Sequence, residues 1–214
     1  MANQYHFITR WRVKGSADEV YDVLSAPLEY PRWWPSVYLM VRELVTANRE
    51  GLGGRIGLLT RGWLPYTIKW QATTCEARRP GRIVIKAYGD FEGRGIWSIV
   101  QDGEFVDATF DWKLTAEKPL LRYLTPLLRP AFEANHRWAM EQGRRSLELE
   151  LARYRAATVE EMNTVPPPAG PKNLWSAGVT AGAVLAVGLV AGLVGTQPSE
   201  PRVTATNSSP TAQH

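Results

Sequence analysis

The sequence predicts an α+β fold, an antiparallel sheet whose apolar face is covered by one long C-terminal helix, followed by a single transmembrane helix. Three observations carry this. Strand-like alternation recurs from Tyr5 to Thr115, broken by turn residues. An amphipathic helical stripe then runs to Tyr154. Finally, Leu174 to Gly195 is a stretch of 22 residues without one charged side chain. At ~1.5 Å per residue such a helix reaches ~33 Å, enough for a hydrocarbon core of ~30 Å.

The first strand is read over Tyr5–Val13, with Tyr5, Phe7, Thr9, Trp11 and Val13 on one face and His6, Ile8, Arg10 and Arg12 on the other. Ser16-Ala17-Asp18-Glu19 has capping-box spacing, and Val20, Val23 and Leu24 supply the apolar stripe of a short helix. Pro27 and Pro31 end it, leaving a compact Leu28–Pro35 segment that carries Trp33 and Trp34. Strands follow at Tyr38–Val45, Arg55–Arg61, Tyr66–Ala77, Arg82–Tyr88, Phe91–Gln101 and Glu104–Thr115. Asp102-Gly103 between alternating runs is a strong hairpin signal. The last strand sets Val106, Ala108, Phe110, Trp112 and Leu114 against Asp107, Thr109, Asp111 and Lys113, as expected of a sheet wet on one side. Pro119–Tyr154 reads as helix. Phe132, His136, Met140, Gly143, Leu147, Leu151 and Tyr154 form its stripe, and only this helix is large enough to cover the sheet.

The expected organisation is a ligand-binding domain at 1–156, a proline-rich linker at 157–173, a membrane helix at 174–195 and a disordered tail at 196–214. A single cysteine in 214 residues leaves no disulfide framework. The start MANQYHFITRWRV has no apolar core of leader length, so the expected placement is single-pass, with the N-terminal domain in the cytoplasm. Arg153, Arg155 and Lys172 before the span, against Arg202 after it, agree with that orientation. Gly178/Gly182 and Gly188/Gly192 are small-xxx-small pairs, so a homodimer through the span is a further expectation. The net charge of +4 is small, and late-helix arginines alternate with glutamates, which argues against a nucleic-acid partner.

No HExxH, paired-cysteine spacing, P-loop or GxGxxG occurs, so neither a metal nor a cofactor is expected and no catalytic residue is assigned. Gly51-Leu52-Gly53-Gly54 lacks the lysine and helix of a phosphate loop and reads as a turn. Cys75 falls on the outer strand parity with no base beside it, and His6 also points outward. The nine tryptophans build either a core of large side chains or an aromatic-lined cavity.

The order strand, two short helices, strand meander and long helix resembles the helix-grip fold of the START/Bet v 1-like (SRPBCC) superfamily. Within it, the chain is similar to the bacterial polyketide cyclase/dehydrase and lipid-transport group. The residues that carry the likeness span about 4–156: Val13–Tyr21, the Tyr30-Pro31-Arg32-Trp33-Trp34-Pro35 corner, Leu64-Pro65-Tyr66, Gly93–Trp97 and Asn135-His136. The resemblance implies a curved sheet gripping the helix around a cavity for an apolar molecule. With it, strand parity places Trp11, Tyr66, Ile68, Trp70, Trp97, Ile99, Phe110 and Trp112 on the inner face. Phe132, His136 and Met140 face them from the helix, and Trp34 and Tyr38 complete the expected ligand-binding set. His136 is the leading polar candidate, either orienting a ligand or satisfied within the core. Tyr38, Tyr66 and Tyr88, and Arg42, Arg61 and Arg94, are secondary ones. Asn135 lies ~100° round the helix from His136 and need not share the cavity.

Three functions are consistent with this reading. The first is membrane-tethered binding or transport of a lipid, isoprenoid, quinone or polyketide. The second is an aromatase/cyclase-like enzyme acting on a polyketide in the same cavity. The third is a non-catalytic scaffold whose cavity is filled by its own tryptophans.

Overall fold

A computed structural model describes residues 4–64, 66–116 and 119–171. Leu174–Gly195, with its expected dimer stripe, and the tail at 196–214 lie outside the described residues. Among those described, no helix is long and apolar enough to cross a membrane.

Seven antiparallel strands form one sheet: β1 (Gln4–Lys14), β2 (Tyr38–Val45), β3 (Arg55–Arg61), β4 (Thr67–Arg78), β5 (Arg82–Gly89), β6 (Phe91–Asp102) and β7 (Phe105–Ala116), in the order β1-β7-β6-β5-β4-β3-β2. Strands β2 to β7 are a simple meander, and β1 pairs with β7 along its whole length, from Gln4 opposite Thr115 to Lys14 opposite Phe105. Each strand falls within one residue of its sequence reading. The Asp102-Gly103 turn is present, with Gly103 at φ +60°, a conformation that favours glycine.

Helices α1 (Ala17–Ser25) and α2 (Tyr30–Trp33) fill the connection from β1 to β2, joined by a 3₁₀ turn at Pro27–Glu29. Ser16 caps α1 as its spacing predicts: its Oγ accepts from Glu19 N, and Ser16 N donates back to the Glu19 carboxylate at 2.7 Å. Helix α3 (Pro119–Arg155) packs on β1, α1 and α2. Its stripe buries Met140, Leu147 and Leu151. The stripe ends there: Tyr154 is exposed, and the last turn is held instead by Arg155 donating to Glu19 at 2.7 Å.

Two local departures matter. The stretch read as spacer contains a short helix, α4 (Val159–Thr164), capped by Thr158 and touching α3. Six helical residues shorten the reach of a fully extended spacer by about 10 Å. In β4 the register shifts between Thr74 and Glu76, making Cys75 the extra residue of a bulge. A bulge reverses the facing of the residues after it. Ala77 therefore lines the inside, while Glu76 pairs outside with Arg78 and Arg82.

Candidate ligand cavity

The inner face of the sheet carries large aromatic side chains on neighbouring strands, so their rings form a continuous wall. Trp11 and Trp97 lie 4.8 Å apart between ring centroids, Trp97 and Phe110 4.6 Å, Phe110 and Trp112 5.4 Å, and Trp112 and Trp70 6.0 Å. The close stack of Phe110 and Trp112 needs Gly95 beside it, where a Cβ would meet both rings at 2.8 Å. From the β1–β2 connection, Trp34 packs 5.5 Å from Trp11 and 5.0 Å from Tyr38. Between this wall and α3 lies an open cavity of about 710 Å³, well inside the range of ~300–1,000 Å³ usual for ligand pockets.

Ten of the eleven expected residues line it: Trp34, Tyr38, Tyr66, Trp70 and Trp97, then Phe110, Trp112, Phe132, His136 and Met140. Trp11 does not. It is on the expected face but only 2 % exposed, shielded from the cavity by the Trp34 and Trp97 rings that sandwich it, so it is core rather than wall. Of the secondary candidates, Tyr88, Arg42 and Arg94 are exposed, while Arg61 is at the cavity wall. Cys75 is exposed, and His6 pairs at the surface with Asp111 at 2.9 Å.

Several lining residues were not anticipated. Thr60 accepts from Trp70 Nε1 at 3.1 Å, and the alternation Ile56, Leu58, Thr60 in β3 marks it as inward. Tyr30 donates its hydroxyl to Leu24 O at 2.6 Å. Asn135, which the helical spacing left free to lie elsewhere, also reaches the cavity. Its Oδ1 accepts from Trp63 N at 2.8 Å and Leu64 N at 3.2 Å, fastening the β3–β4 loop to α3. Nothing in the helical spacing signals this, because the partner is a loop some seventy residues away.

His136 stacks on Phe7, with 4.1 Å between centroids and 17° between planes, and its Nε2 is 3.4 Å from Thr9 Oγ1. Burial, with the positive charge of Arg137 adding to it, lowers the His136 pKa to about 4. At neutral pH the ring is thus uncharged and offers one donor and one acceptor. Burial pushes the Tyr38 and Tyr66 hydroxyls up, so both stay protonated donors. Among the described residues, no cluster of three or more His, Cys, Asp or Glu side chains is placed to hold a metal ion.

The depressed His136 pKa has a consequence for stability. The unfolded chain takes up a proton on this ring near pH 6.5, whereas the folded domain does so only near 4. Stability tied to His136 is therefore full above about 6.5 and falls as pH drops toward 4, by up to about 3 kcal/mol at ~1.4 kcal/mol per unit. Glu19 is lowered to about 2, first by the Arg155 hydrogen bond, and Glu141 to about 2, first by Arg144. Their losses run from pH 4.5 down to 2, mostly below the histidine window. Urea titrations of wild type and His136→Gln between pH 7 and pH 4.5 should converge as pH falls; parallel curves would refute the assignment.

Residues 6–154 match the family described as polyketide cyclase / dehydrase and lipid transport. The chain belongs to this family. No curated protein sequence matches it. Solved structures of the same fold include the Zhui aromatase/cyclase of a Streptomyces species, 17 % identical, covering 72 % of this chain and 97 % of that one at a TM-score of 0.60. A protein of Thermus thermophilus is 14 % identical, covering 71 % and 100 %, with a TM-score of 0.57. A START superfamily protein of Mycobacterium smegmatis is 15 % identical, covering 70 % and 98 %, at 0.53. At these identities the likeness speaks for a shared helix-grip fold, and the family membership makes a hydrophobic small-molecule ligand plausible.

Proposed function

We propose that this family member is a membrane-tethered carrier of a hydrophobic small molecule such as a lipid, isoprenoid, quinone or polyketide. The observation that carries the reading is the open, aromatic-walled cavity of about 710 Å³ between sheet and α3. A guest burying on the order of 300 Å² of apolar surface gains ~7 kcal/mol at ~25 cal/mol/Å², before the losses of association. The polar groups at the wall are largely committed to the protein itself: Tyr30 to Leu24 O, Thr60 to Trp70, and Asn135 to the β3–β4 loop. The second ring nitrogen of His136, whose Nε2 is 3.4 Å from Thr9 Oγ1, and the Tyr38 and Tyr66 hydroxyls remain to orient one polar end. The tether rests on Leu174–Gly195, whose length and lack of charge suit a span, with the N-terminal domain in the cytoplasm. Such ligands partition into bilayers, so an acceptor held beside one meets a high local concentration.

The cyclase reading is favoured by one feature, a neutral His136 in the same cavity as two protonated tyrosines, a set able to move protons on a bound poly-β-ketone. An open cavity argues against a scaffold filled by its own indoles.

Native mass spectrometry of the full chain from its source host, with extraction of what co-purifies, tests carriage. A binding panel of fatty acids, quinones and isoprenoids accompanies it. Ala72, buried on the inner face of β4 and lining the cavity, provides the control: Ala72→Trp should fill the space and lose the guest while the domain stays folded. Carriage is wrong if nothing co-purifies and nothing on the panel binds, or if Ala72→Trp holds as much ligand as wild type.

A further inference from the structure

The outer face of the sheet carries a row of cations that the register sets directly side by side. Lys86 on β5 pairs with Arg94 on β6, and Arg94 pairs with Lys113 on β7. Beyond Lys86 the row continues through Thr73 on β4 to Arg55 on β3. Their strand neighbours Ile85, Trp112 and Leu114 line the cavity, so the cations stand on the opposite side, and all four are exposed. At the ~4.8 Å spacing of strands the row is ~19 Å long.

Several other cations on this face are matched, although Arg10, Arg42 and Lys69 are not among the ion pairs of the described residues. Arg12 sits between Asp102 and Asp107 at 2.7 Å each, Lys14 meets Glu104 at 2.6 Å, and Arg78 and Arg82 share Glu76. Among the described residues no ion pair joins Lys86, Arg94, Lys113 or Arg55 to a carboxylate. Asp111, two residues from Lys113, is engaged by His6, and Glu92, two residues from Arg94, makes no ion pair with it. Like charges directly opposed on a sheet are destabilising. The row is therefore unfavourable alone and favourable against a surface of negative charge.

We propose that this outer face, through Lys86, Arg94 and Lys113, docks against an anionic phospholipid surface. Charge complementarity to lipid phosphates is the first argument. Tyr88 is the second: two residues along β5 from Lys86 and 43 % exposed, it sets an amphipathic ring beside the cations, the kind of side chain that settles at headgroup level. The third is the 22-residue uncharged segment of the same chain, which brings such a surface within reach. A protein partner would want a fully enclosed anchor pocket at the centre of its footprint, and this face is a row of exposed cations on a sheet. The inference is independent of what the cavity holds.

Cys75 makes the test direct, because it is the only cysteine, is exposed, and sits on β4 two residues from Thr73. The full chain is labelled there with an environment-sensitive fluorophore. It is then mixed with phosphatidylcholine vesicles with or without a minority of phosphatidylglycerol. Quenching by aqueous acrylamide should fall several-fold with the anionic vesicles only. The protection should vanish in high salt, as the Debye length shrinks from ~30 Å at about 0.01 M to ~3 Å at about 1 M. Lys86→Gln/Arg94→Gln/Lys113→Gln should abolish it, whereas Arg129→Gln/Arg137→Gln/Arg145→Gln on α3, with the same change in net charge, should not. The first triple variant relieves repulsion, so its melting temperature should hold or rise, which separates lost docking from lost folding.

Equal protection in both triple variants, equal protection with neutral vesicles, or none with either overturns the proposal. So does protection by an acidic protein or a nucleic acid without protection by vesicles. Failure of the membrane tether reads differently: the chain would then stay free of neutral vesicles yet still be protected by anionic ones.

Discussion

Gly143→Ala should destabilise the domain by about 2 kcal/mol, although the substitution improves the helix. Alanine is favoured over glycine in a helix interior by about 1 kcal/mol. Against that, a Cβ at Gly143 would lie far closer than 3.0 Å to Cζ2, Cε2 and Cη2 of Trp34. Away from its cavity side the indole is tightly held: it is 3 % exposed and packed by Trp11 at 5.5 Å, Trp33 at 5.5 Å and Tyr38 at 5.0 Å between centroids. Overpacking of a well-packed core costs ~1–3 kcal/mol, and a rigid ring clamped by three other aromatic rings belongs at the upper end. The net loss should lower the melting temperature by roughly 4–8 °C for a domain of this size. Because Trp34 is wall as well as core, the variant should also bind the ligand more weakly than its lost stability explains. A melting temperature at or above wild type would mean that Trp34 is not seated on α3 as described.

The same ring shows what could and could not be read from the sequence. The glycine at step three of the α3 stripe was visible as a gap in an apolar row, but not the indole that fills it, because Trp34 arrives from a corner over a hundred residues earlier. Strand alternation told which face a residue is on and so placed Tyr66, Trp70, Trp97, Phe110 and Trp112 at the wall, while the helical stripe placed Phe132, His136 and Met140. It could not tell depth, and Trp11, on the correct face, is screened by two other tryptophans. Alternation also assumes a regular strand. Thr74-Cys75-Glu76-Ala77 reads as one, yet the bulge at Cys75 turns Ala77 inward. Helix α4 is a different kind of miss: Thr158 and Glu161 have capping-box spacing, and Glu161 N donates to Thr158 Oγ1 at 3.1 Å, while the Glu161 carboxylate accepts from the residue before the cap, Ala157 N, at 2.7 Å. That signal was local and legible. Asn135 had none, since a side chain that caps a distant loop is specified only by tertiary contact.

Arg32→Leu should cost about 3 kcal/mol, the larger share of it through a group the substitution does not touch. Glu150 on α3 is buried, and its carboxylate accepts from both Arg32 Nη1 at 2.9 Å and Nη2 at 2.5 Å. Arg32 itself is half exposed and also meets Glu29 at 2.8 Å, so the loss of its own interactions is screened and minor. Once the guanidinium is gone, the carboxylate keeps only Arg153 at 3.7 Å, and an uncompensated buried charge typically costs ~3–5 kcal/mol, reduced here by that second cation. The double variant is the sharper test. Arg32→Leu/Glu150→Leu replaces the pair by apolar groups and should recover most of the loss, since buried ion pairs contribute little beyond satisfying each other. Denaturant midpoints at constant slope measure all three variants. Additive losses in the cycle would sink the pairing. Coupled losses would identify Arg32 as the clamp that fixes α2, and with it the Trp33-Trp34 corner, against the helix that roofs the cavity.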